Sequence, residues 1–229
     1  MKDFFQDSVF VGLLISLGSY GIGMWLRKKT KLSLINPLVI SIIMVIAFLL
    51  ITGMDYQTYC EGADGLNYLL TPATICLALP LYQQVELLKK NYRAVILGIT
   101  AGVLSSLCTI LLLALAFQFN HEIYVTLLPK SITTAIGIGM SEELGGIVSL
   151  TVVSIVITGV LGNVIAEKWL QICRIKDPIA KGIAIGCASH AMGTAKAMEM
   201  GDVEGAMSGL SIVVSGVLTV VGATLFSYI

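Results

Sequence analysis

Long apolar runs separated by short polar connections fill almost the whole chain. Uninterrupted runs occupy residues 9–25, 37–52, 94–117, 147–166 and 207–228. At 1.5 Å of rise per residue, about 20 such residues cross a hydrocarbon core about 30 Å thick. These five runs predict membrane-spanning helices. Three further stretches are apolar but broken by proline, glycine or charge: residues 69–82 ("LLTPATICLALPLY"), 125–146 ("VTLLPKSITTAIGIGMSEELGG") and 179–200, which contains "GCASHAMGTAKAMEM".

Composition agrees with the pattern. Of 229 residues 56% are hydrophobic and 12% charged, and the mean hydropathy is +0.91. A soluble domain carries about twice that share of charge. The 14 basic and 14 acidic side chains cancel, so no global field points to nucleic acid. Five cysteines stand singly, without metal-ligand spacing, and read as small hydrophobes. No cofactor is implied.

Lysine and arginine gather in "RKKTK" (27–31), "LLKKNYR" (87–93) and "EKWLQICRIKDPIAK" (167–181), whereas "GMDYQTYCEGADGLNY" (53–68) carries acids alone. The positive-inside rule places the basic loops in the cytoplasm and the N-terminus outside. The first run lacks a small-residue cleavage site and is expected to be a retained helix rather than a signal peptide. Parity between His121 outside and Glu167 inside requires one segment to enter and return. Residues 125–146, with Pro129, Lys130 and Glu142–Glu143, fit that role, because irregular backbone at membrane depth must line a cavity or be covered by protein.

The expected architecture is therefore an all-α polytopic membrane protein, a single membrane domain over 1–229 with about seven crossings and one re-entrant segment. Laying Thr71 on Ser189, an offset of about 118, pairs a half at 9–117 with one at 125–228 in opposite senses. Secondary transporters built from inverted repeats place substrate where paired interrupted helices meet. Here those are "TPAT" (71–74) and "ASHAMGT" (188–194). Pro72 leaves a carbonyl free, and Gly193 lets backbone approach closely.

The polar residues of these segments form the candidate site. His190 has two readings, a helix-to-carbonyl bond or a proton carrier and substrate ligand. Lys130, beside Ser131, Thr133 and Thr134, suits a small carboxylate, with snorkelling to headgroups as its alternative. Thr71, Thr74, Ser189 and Thr194 add hydroxyls. Coupling-ion candidates are His190, Glu142, Glu143, Lys196 and Glu199. Lys196 and Glu199 also have the spacing of a simple i,i+3 pair, and Glu142–Glu143 could be start signals for the helix near Ile147. Asp202 and Glu204 read as a solvated turn. No nucleophile–base pair or metal motif appears, which speaks against an enzyme.

"KSITTAIGIGMSEELGG" (130–146) and "ASHAMGTAKAMEMGDVEGAMSGL" (188–210) resemble signature regions of the LrgB/CidB family of bacterial membrane proteins. "NPLVIS" (36–41) and "LTPATICLALPLYQQVELLKKN" (70–91) are similar to its other marked regions. The resemblance implies a cytoplasmic-membrane protein working with an LrgA/CidA-type partner in a homo- or hetero-oligomer. It implies either an antiholin or holin-like protein that modulates murein hydrolase activity and autolysis, or a carrier of pyruvate or a related small monocarboxylate. The plant plastid glycolate/glycerate transporter looks like a fusion of the two partner types. Broken segments and intramembrane charges favour the carrier, since oligomerising pore helices need neither. A structural scaffold for the partner is a third reading.

Overall fold

The computed structural model describes residues 10–30, 36–69, 72, 75–76, 79 and 82–229. All regular structure among them is helical. The chain forms two compact units, Met1–Cys76 and Leu77–Ile229.

The first unit holds α1 (Val11–Thr30), α2 (Pro37–Thr52) and α3 (Tyr56–Tyr68). Asn36 caps α2 by accepting from Leu38 N at 2.8 Å, and Pro37 fits the first helical position, where no N–H is needed. Gly53, at φ 65°, ends α2 in the left-handed conformation glycine favours. On α1, Gly12 and Gly23 have no room for a Cβ, facing the backbone of Tyr59 and Pro37 respectively. Ser16 Oγ and Tyr59 Oη, 2.6 Å apart, join α1 to α3.

The second unit contains α4 (Val85–Phe117), α5 (His121–Leu127), α6 (Thr134–Glu143), α7 (Val148–Ile172), α8 (Pro178–Met200) and α9 (Asp202–Phe226). Three of these, α4, α7 and α9, are long and apolar enough to cross a membrane, and α2 is a shorter apolar helix. Helix α9 shows why the solvent is lipid. Its buried face carries Ser208, Ser211, Ser215 and Thr219, while Val213, Val217 and Val221 are exposed. A water-soluble helix would turn the valines inward; in a bilayer, small and hydroxyl residues pack helices closely and apolar ones face the chains. The protein is an integral membrane protein.

Two helical hairpins organise this unit. In the first, α5 runs in, residues 128–133 turn, and α6 runs back. At its base Ile147 N donates to Thr126 Oγ1 at 2.8 Å, and Thr151 Oγ1 lies 2.9 Å from the Thr126 carbonyl oxygen and 2.7 Å from Ser141 Oγ. At its tip Ser131 Oγ reaches Ser106 Oγ of α4 at 3.3 Å. Ser106 sits about 16 Å of helix rise short of Phe117.

The second hairpin is α8 itself. Its helical dihedrals fail at Ser189 (φ −134°, ψ 15°) and His190 (φ 42°, ψ −137°), and the chain reverses there. Gly182 of the outgoing arm abuts Glu204 and Met207 near the start of α9, while Thr194 of the returning arm bonds Ser208 at 2.7 Å and Met198 lies against Gly205. Ile185 and Ala197 share one apolar cluster with Leu170. A straight α8 could bring Thr194 to Ser208, but not Gly182 to Glu204 as well, nor Ile185 to Ala197, which lie about 18 Å of helix rise apart. Both arms therefore open at the end where α7 finishes and α9 begins, and α9 ends beside α5, with Tyr124 Oη donating to the Phe226 carbonyl at 3.0 Å. Residues 179–200, expected as one crossing, instead fold back on themselves at Ser189 and His190. The reason is tertiary: glycines at 182, 186 and 193 let the arms approach α9 and one another.

A long helix followed by a hairpin thus occurs twice in this unit, in opposite senses. This pairing differs from the halves expected at 9–117 and 125–228.

Candidate functional site

The outgoing arm of α8 lies against α4, where Gly98 faces Ile183 and Gly102 faces Cys187. Between α4, α7, the first hairpin's tip and this arm runs a cavity of about 920 Å³, near the top of the roughly 300–1,000 Å³ range of small-molecule sites. Asn91 and Asp177 stand at one end. Ser106, Thr109, Lys130 and Ser131 stand at the other, about 22 Å along α4 as counted from Ala94 to Thr109. Asn91 also marks a kink in α4, its amide donating to the Leu87 carbonyl at 3.0 Å.

The walls are mainly apolar or glycine, and hydroxyls collect towards the Lys130 end. Lys130 Nζ donates to Ser131 Oγ at 3.0 Å and reaches Ser106 Oγ at 3.5 Å. Among the described residues no carboxylate comes within ion-pair distance of it. An ammonium has three N–H bonds and a serine hydroxyl that accepts still has its own O–H to give. Since one of Ser131 and Ser106 donates to the other, Lys130 and the remaining hydroxyl offer a cation and a donor to an anion. Ser105, Thr158 and Ser189 complete the hydroxyls.

His190 lies behind this wall. Its Nε2 is 3.0 Å from the Ile155 carbonyl oxygen, and since a carbonyl only accepts, Nε2 carries the proton. The ring occupies space left by Gly159, and the Ser189 side chain fills the space left by Gly162. Thr194 Oγ1 donates to the His190 carbonyl at 3.0 Å, and Asn163 Nδ2 donates to that of Met192 at 2.6 Å. A non-glycine residue at φ 42° costs about 1–3 kcal/mol and persists only where its surroundings hold it. These bonds do so.

Of the residues expected to meet substrate, Lys130, Ser131 and Ser189 line the cavity. Thr133 and Thr134, half-buried, cap and begin α6, and His190, Gly193 and Thr194 are buried around the second tip. Pro72 is an exposed residue of the first unit; Thr71 and Thr74 fall outside the described residues. Glu142 and Glu143 are exposed in the last turn of α6, closing that helix rather than opening α7. Lys196 pairs with Glu167 at 3.1 Å and with Glu199 at 3.3 Å, at the open end of α8. Glu204, expected in a solvated turn, is buried in α9, 3.8 Å from Lys181. Ser105, Ser106, Thr109 and Thr158 were not among the sequence candidates. Their signal was hydroxyls inside apolar runs, at and beyond Gly98 and Gly102.

The family model for the LrgB-like family matches residues 16–229. The chain belongs to the LrgB-like family. It is 37% identical over 220 residues to a protein of Bacillus subtilis (strain 168) named antiholin-like protein LrgB, covering 96% of this chain and 95% of that one. No solved structure matches it. The cavity, the paired hairpins and Lys130 are thus features of an LrgB-like chain.

Proposed function

We propose that this LrgB-like protein has the antiholin-like role of its B. subtilis relative, affecting autolysis from the bacterial cytoplasmic membrane, and that it acts by binding and carrying a small monocarboxylate. The relative's name supports the first part. One observation supports the second: the cavity ends on Lys130, an ammonium among hydroxyls with no carboxylate of the described residues beside it. One charge suits one carboxylate, and the hydroxyls suit the carbonyl or hydroxyl oxygen of pyruvate or a glycolate-like acid. Both returning arms, α6 and residues 191–200, begin at a tip, so their positive helix ends aim towards the middle of the unit, as half-helices do around anionic substrates.

In this reading α1, α2, α4, α7 and α9 cross the bilayer, and the two hairpins enter from opposite faces. The N-terminus lies outside, and an LrgA/CidA-type protein is the partner. No step requires a cofactor or bond chemistry, so we read the protein as a non-enzyme.

Reconstitution separates carriage from a pore. The full chain, with and without an LrgA-like partner, is placed in liposomes and uptake of labelled pyruvate is followed. Saturable uptake without loss of trapped dyes is the expected result. Release of dyes of increasing size with no saturable uptake would leave a holin-type pore in its place. Loss of wild-type function on disrupting helix packing at "GAMSG" (205–209), with no response to Lys130 substitution, would indicate a scaffold.

A further inference from the structure

We propose that Lys130 is also the proton carrier of this site, so that one anion and one proton cross together with no net charge; the inference rests on the carrier reading above. The ionisable groups on the cavity wall are few. Among the described residues they are, besides Lys130, the Cys187 thiol of α8 and Asp177 at the mouth. The α4 and α7 positions on the wall are hydroxyl, amide, glycine or apolar residues. Of the residues the sequence offers as coupling-ion candidates, His190 is tied to the Ile155 carbonyl behind the wall, Glu142 and Glu143 are exposed at the far end of α6, and Lys196 and Glu199 sit in an ion-pair cluster at the open end of α8.

Charge then decides the cycle. With a monocarboxylate bound, the ammonium and the anion sum to zero. With the site empty, Lys130 is a single positive charge with two hydroxyls and, among the described residues, no counter-ion. A lone charge at bilayer depth is costly, and an amine that can lose its proton avoids that cost. On the release face the anion leaves and the Lys130 N–H bond breaks, its proton passing to water. The neutral amine returns, takes a proton from water on the other face, and the next anion binds to the ammonium so formed. Each turn moves one carboxylate and one proton.

The test uses the full-length protein in liposomes with labelled pyruvate as the probe. For the wild type, a pH gradient acid on the outside should drive accumulation with the membrane potential clamped at zero. Imposing a potential of either sign should leave the rate unchanged. Arginine stays charged at every accessible pH, so K130R should slow pyruvate exchange several-fold yet permit it, while gradient-driven accumulation falls to background. Wild-type uptake that follows the membrane potential would overturn the inference, as would K130R accumulating in proportion to its exchange. The potential measurement stands alone should K130R fail to fold. No uptake and no exchange by the wild type would instead remove the carrier reading itself, and the inference with it.

Discussion

Lys130 and His190 show how position decides chemistry between two residues that look equally functional in a hydrophobic sequence. Lys130 faces a cavity and, among the described residues, bonds to hydroxyls; His190 is buried, its proton given to a carbonyl and its ring set against Gly159. The histidine therefore pins the α8 turn. His190→Gln can keep a donor for the Ile155 carbonyl, and should leave the pH profile of pyruvate uptake unchanged. His190→Ala removes the bond and should cost roughly 0.6–1.7 kcal/mol, the span found for hydrogen bonds between membrane helices. Melting of the detergent-solubilised variants checks the second effect. A His190→Gln profile displaced along the pH axis would return the histidine to the transport path.

At the scale of elements, α8 is where sequence and structure part. Length and hydropathy are the same for one helix of 23 residues and for two half-length arms folded together, so neither quantity can tell a crossing from a return. The breaks themselves were legible: proline and lysine at residues 129–130, and glycine beside serine and histidine in "SHAMG". The direction after each break was not, because contacts such as Gly182 to Glu204 and Thr194 to Ser208 fix it and no local pattern encodes them. The same limit explains the site. Lys130 announced itself as a charge in an apolar segment, while Ser106 and Thr158 resemble any hydroxyl that bonds back along its own helix. Cysteine labelling distinguishes the two paths of α8. Single cysteines at positions 177 and 202 should react from one side of the membrane and one at 228 from the other. Labelling of 177 and 228 from the same side, with 202 opposite, would restore α8 as a crossing.

Over the whole molecule, composition and the inverted polarity of α9 identify the medium, and the LrgB-like match supplies kinship. Neither says what the protein holds. That rests on a cavity of about 920 Å³ with Lys130 on its wall, the hairpin tips bringing Lys130, Ser131 and Ser189 to it from two directions. The antiholin-like name and an anion site are compatible if flux of a small acid is what autolysis senses. The most direct measurement is equilibrium binding of labelled pyruvate to the purified full-length protein, comparing wild type, Lys130→Ala and Lys196→Ala. Saturable binding that weakens at least about tenfold in Lys130→Ala, the loss of one charge-assisted contact, and persists in Lys196→Ala is the predicted result. Equal binding by wild type and Lys130→Ala would contradict the assignment of this cavity as the anion site.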